Sequence, residues 1–390
     1  MSGSRLFSGG GWLFRQMCTA ATKLAEAEVE HSGGKLPLYR RLSSLQMTGG
    51  TVCQTLNQYI MEGKAIRKQE LQRCVRELRK FSHYQHALEV MEWMVFRRIN
   101  YSYTDFAMHL DLVSLTKGVV EAENYFNDLP PRSKNKYTYG TLLHCYCRNL
   151  MADKALAHFE KMDELKYVNN LAFNNLMSMY MRLGTSNLGE VYRVWKSLKS
   201  VSPVTNLSYL TMLQSLRRLN DIEGLTQCFK EWESSCASYD LRLVNVVTSA
   251  YLSWGMCEEA ELLFKNALKR RQGRGPFYKI HEMFILFFLE NRKVDLAVCH
   301  LETALSKAKD DGWSPSPEVV SAFLKYYEQV NVDGVEKLRN ILKTFNFDDN
   351  FLLRTCINAD KTAHGLHQIS LKEGSEISSQ GRVDLLEEIN

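Results

Sequence analysis

Three arginines recur along the chain at nearly equal intervals. This spacing is expected if each of them occupies the same place in a repeated structural unit. Arg148, Arg182 and Arg218 are separated by 34 and 36 residues. If repeated units stack side by side, these cations form a basic row that can contact successive phosphates of a nucleic acid, with an affinity that weakens with salt and ignores sequence. Alternatively, each cation offsets the partial negative charge at the end of a helix, which contributes about 0.3–1 kcal/mol. One residue can do both.

Patterns that would indicate catalysis or a metal site are incomplete. His158-Phe159-Glu160 matches the H-x-E of the zinc deaminases, but the sequence contains no C-x-x-C to complete the ligand set. Cys145 and Cys147 are two residues apart on a predicted helix, so their side chains diverge and do not chelate one metal. We therefore predict no catalytic site, no metal site and no cofactor.

Composition sets further limits. The 49 basic and 44 acidic residues give a formal net charge of +5, which permits an anionic partner without requiring one. The 10 cysteines follow no regular framework, which favours a reducing compartment. The longest apolar run, residues 283–289, is far shorter than the roughly 20 residues that span a bilayer. No membrane span is predicted.

The first residues have the composition of a targeting segment. Arg5, Arg15 and Lys23 are accompanied by hydroxyl-bearing and apolar residues, and no acidic residue precedes Glu26. This composition is typical of an organellar transit peptide, so we expect residues 1–30 to be a transit peptide and linker. Mitochondria are preferred over plastids because arginine is present and the segment is short. At the other end, residues 351–390 are predicted to be a polar tail.

A helical repeat with a period near 35 residues occupies the region between these ends. Its landmark is a small or aliphatic residue that has another residue, usually a large one, four places later. Successive landmarks are 33 to 38 residues apart. The eight landmarks are Ala87, Ala122, Ala155, Val191, Leu225, Ala260, Ala297 and Val335. An apolar stripe with helical spacing precedes several of them, as at Tyr139, Leu142, Leu143 and Tyr146. Each unit is therefore predicted to contain two helices.

Stacking of these units defines the predicted architecture. A pair of helices this short cannot bury its apolar face alone, whereas stacked pairs bury one another's faces. We predict an all-α, helix-turn-helix repeat solenoid over residues 36–345, a right-handed superhelix with a concave surface. The predicted units lie near residues 67–101, 102–135, 136–169, 170–205, 206–239, 240–276, 277–316 and 317–350.

The amino-acid sequences of individual units resemble those of a known family. Residues 137–148, followed by 155–162, resemble a pentatricopeptide repeat, and residues 172–180 resemble the next one. Residues 38–42, 70–80 and 87–94 are similar to the N-terminal region of a P-class plant organellar type. The resemblance implies binding of single-stranded RNA along the concave surface formed by the first helix, or A-helix, of each unit, with one base read per repeat.

The resemblance also implies where each nucleotide is contacted. In this family, the residue after the A-helix aromatic reads the base together with the last residue of the repeat. The reading place holds Gly140, Asn174, Leu210, Val244 and His281 in successive units. Of these, Asn174 carries an amide, and its end-of-repeat partner is Thr205; Asn169 is the partner of Gly140.

Two further sets of contacts follow from the same resemblance. An apolar residue two places before the aromatic packs on the base, and Tyr137, Leu171 and Leu207 occupy that place. The row of Arg148, Arg182 and Arg218 coincides with the family's basic residue, a candidate phosphate contact. Leucine and valine at reading places cannot form hydrogen bonds with a base edge.

Two functions are compatible with these features. The first is a non-catalytic mitochondrial protein that binds single-stranded RNA and acts on the stability, processing or translation of transcripts. The second is a structural or interaction scaffold, such as a component of the mitochondrial ribosome or a binder of other organellar proteins. In the second case a hydrophobic groove at Leu210 and Val244 would grip a peptide or a partner helix.

Overall fold

The computed structural model describes residues 38–45, 49–271, 277–308, 313–330, 333–345 and 347. Within these ranges the chain forms eighteen α-helices and two short 3-10 turns, and contains no β-strand. The predicted all-α, helix-turn-helix repeat fold is thereby confirmed. The predicted transit peptide and the predicted polar tail lie outside the described residues.

The helices are numbered here in chain order. They are α1 (Leu38–Ser43), α2 (Val52–Met61), α3 (Lys68–Lys80), α4 (Tyr84–Phe96), α5 (Tyr103–Thr116), α6 (Val119–Asp128), α7 (Lys136–Arg148), α8 (Ala152–Glu164), α9 (Asn170–Leu183), α10 (Leu188–Val201), α11 (Asn206–Arg218), α12 (Ile222–Ser235), α13 (Leu241–Ser253), α14 (Cys257–Arg270), α15 (Tyr278–Glu290), α16 (Val294–Ala308), α17 (Pro317–Val330) and α18 (Asp333–Thr344). From α3 onward, odd-numbered helices are A-helices and even-numbered helices are B-helices.

The chain divides into two compact units, which meet in sequence at Gly118. In the first unit, α3 packs on α1 and α4, and α4 also packs on α2 and α5. Polar contacts link α3 to α5, because Lys68 Nζ lies 2.7 Å from the fully buried Asp105 carboxylate and Gln72 donates to the same group over 2.7 Å. Arg79 pairs with the buried Asp111 carboxylate in the same way.

In the second unit, each A-helix packs on its own B-helix and on the next A-helix, from α7 through α17. The landmark residues Ala155, Leu225, Ala260 and Ala297 of the B-helices have no exposed surface. A small side chain at this place allows neighbouring helices to approach closely, so the A-helices form a continuous layer with their apolar sides inside the stack.

Polar caps define where the A-helices begin. The side chains of Asn135, Asn169, Thr205 and Asp240 each accept a hydrogen bond from a main-chain N–H in the first turn of α7, α9, α11 and α13, respectively. Such caps satisfy donors that the helix itself leaves without a partner. Because a cap fixes the first residue of its helix, it provides a common origin for counting residues in every repeat.

Left-handed backbone residues define where the A-helices end. The residue fifteen places after the cap has a positive φ in successive repeats, at Leu150 (57°), Gly184 (109°), Asn220 (59°) and Gly255 (73°). After Leu150, Asn220 and Gly255 the next N–H group donates back to a carbonyl in the last turn and closes the helix. Glycine adopts a positive φ without a steric penalty, as at Gly184 and Gly255.

Overpacking at a B-helix landmark tests the stacking directly. Replacing the buried Ala155 with tryptophan should lower the free energy of unfolding by about 1–3 kcal/mol or more, because the indole must displace neighbouring helices. Ala157 lies on the same helix and is exposed, so Ala157→Trp is the matched control. Thermal and urea unfolding monitored by circular dichroism would measure both variants. Equal effects of the two substitutions would contradict the stacking role of Ala155.

Candidate nucleic-acid interface

Counting from the caps shows which side chains are equivalent in successive repeats. Position n denotes the nth residue after the cap of an A-helix. At 100° per residue, positions 2, 5 and 13 fall within an arc of about 80° on one side of the helix. We call this side of α7, α9, α11 and α13 the A-face. The opposite side carries the fully buried residues of positions 3, 7 and 8, such as Thr138 and Leu143.

The three arginines of the predicted basic row occupy the same place in the fold. Arg148, Arg182 and Arg218 are all at position 13, counted from the caps Asn135, Asn169 and Thr205. Burial holds the pKa of Arg182 below its ordinary value, and the positive charges of Arg218 and Arg148 lower it further. The charge of Arg182 is therefore repelled by the equivalent arginine of the repeat on either side.

Arg182 also has a structural contact. Its guanidinium donates a hydrogen bond of 2.9 Å to the main-chain carbonyl of Arg148, the last residue of the preceding A-helix. This bond satisfies a helix-end carbonyl and sets a cation against the negative end of the helix dipole. Neither Arg182 nor Arg218 forms an ion pair with a carboxylate in the described part of the chain. The row combines a helix-end contact with charge that no acid neutralises at these two residues.

Asn174 lies at position 5 with its amide buried and unpaired. Its side chain is 5% exposed, and neither Oδ1 nor Nδ2 has a hydrogen-bond partner among the described residues. Leaving a buried polar group unpaired costs about 1–3 kcal/mol, so stability alone does not favour asparagine here. The adjacent Asn175 is different, because its Oδ1 lies 3.1 Å from Nδ1 of His144 in the preceding A-helix.

The end-of-repeat candidates act as helix caps. Asn169 Oδ1 accepts a bond of 3.0 Å from the N–H of Ala172, and Thr205 Oγ1 accepts one of 3.2 Å from the N–H of Ser208. Asn169 is exposed, and its Nδ2 donor has no partner in the described structure. At position 2, the base-packing candidates Tyr137, Leu171 and Leu207 are half-buried. Their exposed parts form an apolar strip near the helix N-termini.

Comparison with known proteins agrees with this geometry. A family model of the PPR repeat matches residues 137–167 and 243–271. A mitochondrial pentatricopeptide repeat-containing protein of Arabidopsis thaliana is 37% identical, and the match covers 88% of this chain and 85% of that protein. The chain belongs to the pentatricopeptide repeat family.

Two further comparisons concern a ribosomal relative and the fold. The large ribosomal subunit protein mL101 (rPPR4) of Arabidopsis thaliana is 29% identical over 91% of this chain and 95% of that protein. Among solved structures, the pentatricopeptide repeat protein PPR10 of maize, in complex with an 18-nt psaJ RNA element, matches 87% of this chain at 13% identity with a TM-score of 0.51. This chain spans 48% of the PPR10 chain, and the likeness shows a shared fold.

Counting from the start of each helix changes which residues are equivalent to Gly140 and Asn174 in two pentatricopeptide repeats. Asn245 is at position 5 of α13, counted from the cap Asp240, and Glu282 is at position 5 of α15, counted from Phe277, the residue before that helix. The predicted reading residues Val244 and His281 are at position 4. The signal that would have found Asn245 and Glu282 is the distance to the B-helix landmark. Position 5 lies fifteen residues before Ala155 in one repeat, and Asn245 and Glu282 lie fifteen residues before Ala260 and Ala297.

The hydrophobic groove expected at Leu210 and Val244 is not present. Leu210 is 4% exposed and Val244 is fully buried, so both side chains belong to the packed interior of the pentatricopeptide layer. Val244 is buried because position 4 faces the neighbouring helix. These two residues therefore offer no apolar surface to a peptide.

Metal-binding and membrane-spanning features are absent from the described residues. No group of three or more histidine, cysteine, aspartate or glutamate side chains there is arranged to hold a metal ion. None of the helices in the described ranges is both long and apolar enough to cross a membrane. The A-face is therefore the feature of this pentatricopeptide array on which a function can be argued.

Replacing Asn174 with leucine tests whether its amide is kept at the expense of stability. Asn174→Leu should raise the free energy of unfolding by about 1–2 kcal/mol, because it removes a buried unpaired amide at a place where the next repeat already has Leu210. Denaturant unfolding is the measurement. The matched control is Asn175→Leu, which should lower stability because it removes the contact with His144. Destabilisation by both substitutions would mean that the Asn174 amide is paired in solution.

Proposed function

We propose that this pentatricopeptide repeat protein binds single-stranded RNA in mitochondria through the A-face and acts, without catalysis, on the stability, processing or translation of transcripts. The observation that carries the proposal is the row of Arg148, Arg182 and Arg218 at position 13 of successive A-helices, in which the charges of Arg148 and Arg218 repel that of Arg182. A polyanion that contacts the row neutralises this repulsion and releases counterions, which gives affinity without regard to sequence. Phosphates spaced along a single strand fit a row of cations spaced along a helical stack.

Base recognition has its own place on the A-face. Positions 5 and 13 are separated by eight residues, or about 12 Å along the helix, so bases and phosphates would follow two parallel tracks. Asn174 at position 5 supplies an amide that can both donate to and accept from a base edge. Reaching a base requires the side chain to rotate out of its buried position. The half-buried Tyr137, Leu171 and Leu207 at position 2 would support the base faces.

The relatives support the mitochondrial part of the proposal. The relative at 37% identity is named as a mitochondrial protein, and so is a second one at 34% identity. The composition of residues 1–30 points the same way, because it lacks acidic residues and contains arginine. The RNA bound to PPR10 is a property of that protein, and it supports RNA as the class of ligand to test here.

Salt dependence of RNA affinity tests the basic row. The triple variant Arg148→Ala, Arg182→Ala and Arg218→Ala should flatten the slope of log affinity against log salt by about 2, since each phosphate contact on a single strand contributes about 0.7. Fluorescence anisotropy with a labelled mixed-sequence RNA between 50 and 300 mM salt would give the slope. The matched control replaces Lys196, Lys230 and Lys269, three exposed cations on the B-helices α10, α12 and α14, with alanine.

Two outcomes would count against the proposal. The first is an unmodified protein that shows no salt-sensitive affinity for RNA. The second is an equal loss of slope in the A-helix and B-helix variants, which would mean that the net charge alone matters. Thermal unfolding of each variant would separate loss of contact from loss of fold, because Arg182 also bonds the Arg148 carbonyl.

Gly140 offers a gain-of-function test of the reading track. A Cβ added at Gly140 meets no atom within 4 Å, so a larger side chain fits at this position 5. Gly140→Asn should add an amide beside Asn174 and increase affinity for a subset of RNA sequences several-fold, without loss of stability. Selection from a random RNA pool, comparing the enriched sequences of both proteins, is the measurement. Identical enrichment would contradict the role of position 5.

A ribosome-associated role is the second candidate, and the match to mL101 over nearly its full length favours it. In that case the A-face would contact ribosomal RNA or protein within a stable assembly. Co-sedimentation of the tagged protein with the mitochondrial large subunit, retained in high salt, would support this candidate. Recovery with transcripts outside the ribosomal fractions would support the first one.

A further inference from the structure

We propose that the RNA-binding track has an electrostatic end at α15, so that the second unit holds a short single strand of about four nucleotides opposite α7, α9, α11 and α13. The inference rests on the RNA-binding function proposed above and specifies the length of its ligand. It follows from two carboxylates in α15, at positions 5 and 13, where the preceding A-helices of the unit carry neutral side chains at position 5 and three arginines at position 13.

The charge of the side chain at position 13 changes sign along the array. After Arg148, Arg182 and Arg218, the same place holds Ser253 at the end of α13 and Glu290 at the end of α15. Glu290 is exposed and forms no ion pair with a described residue. A phosphate that followed the row to α15 would meet an unneutralised carboxylate in place of a guanidinium.

The fold gives no reason for an acid at the end of α15. A helix C-terminus carries partial negative charge, and a carboxylate there is unfavourable by about 0.3–1 kcal/mol. The equivalent arginines of α7, α9 and α11 carry a positive charge, which is favourable at a helix C-terminus. Glu290 thus departs from a local stability rule, and such departures concentrate at functional sites.

Position 5 changes from neutral to acidic in the same repeat. Glu282 is 6% exposed, and its Oε1 accepts a bond of 3.0 Å from the N–H of Ser316, the residue that precedes α17. Its Oε2 lies 3.7 Å from Nζ of Lys279. An ionised carboxylate only accepts hydrogen bonds, so it lacks the donor that an amide offers to a base edge. This anchored acid cannot replace the amide of Asn174 or Asn245 as a reader.

The other limit of the track is the start of the second unit, which follows Gly118 and has α7 as its first A-helix. At one base per repeat, the four A-helices α7, α9, α11 and α13 give a track of about four nucleotides. Three of them carry a cation at position 13.

A length series of RNA tests the inference. Labelled oligonucleotides of 2 to 12 nucleotides, in uridine and mixed-sequence sets, would be titrated with the full chain and measured by fluorescence anisotropy. Affinity should rise steeply up to four or five nucleotides. Beyond that length, affinity should increase only in proportion to the number of ways in which a stretch of four nucleotides can be placed on the track.

Charge reversal at the proposed end provides the second measurement. Glu290→Arg should lengthen the steep phase by one nucleotide and steepen the salt slope by about 0.7, the value of one phosphate contact. Glu302→Arg makes the same charge change at an exposed place on the B-helix α16 and should leave both quantities unchanged. Glu290→Gln removes the negative charge without adding a cation. It should change the length of the steep phase and the salt slope in the same direction as Glu290→Arg, but by less.

The outcomes distinguish this inference from the function on which it rests. RNA binding that rises steeply beyond eight nucleotides would leave the proposed function intact and overturn the short track. Equal effects of Glu290→Arg and Glu302→Arg would also overturn it. Absence of any RNA affinity in the unmodified protein would remove both proposals.

Discussion

A pair of helices about 35 residues long cannot bury its apolar side alone, and every other feature of this protein follows from that constraint. Each A-helix must lie against the next one, so fully buried alanines recur at the same distance from the helix caps, at Ala155, Ala260 and Ala297. Once this spacing is fixed, equivalent positions of successive repeats face the same surroundings. Side chains with the same chemistry therefore fall into rows, and a row is the shape of surface that suits a linear polymer.

The rows explain why most of the fold was predictable from the sequence and why part of the site was not. Buried positions constrain side-chain size, so the landmarks of the B-helices are visible in the sequence. The aromatic landmark of the A-helices is less reliable. In α13 Leu243 at position 3 stands where an aromatic was sought, and this shifted the reading place from Asn245 to Val244. The caps and the B-helix landmarks resolve the ambiguity, because both are tied to packing or to obligatory hydrogen bonds.

Position 5 illustrates how packing and recognition compete for one place. Leu210 fills it with a buried apolar side chain, whereas Asn174 fills it with a buried amide that has no partner. The first choice favours the stability of the stack, whereas the second leaves a buried amide unpaired at a cost of about 1–3 kcal/mol. Gly140 leaves the place empty. These three repeats differ at position 5, while the packing on the opposite side of each helix is maintained.

The arginines at position 13 connect stability to binding in the same way. Arg182 stabilises the end of the preceding A-helix through the Arg148 carbonyl, yet burial lowers its pKa and the charges of Arg218 and Arg148 lower it further. The charge repulsion is the cost of aligning cations at helix ends in a stack whose geometry brings those ends together. A bound polyanion removes that repulsion and leaves the helix-end contact in place. Binding of RNA and cohesion of adjacent repeats should therefore reinforce each other, since a ligand that prefers the stacked form stabilises it by mass action.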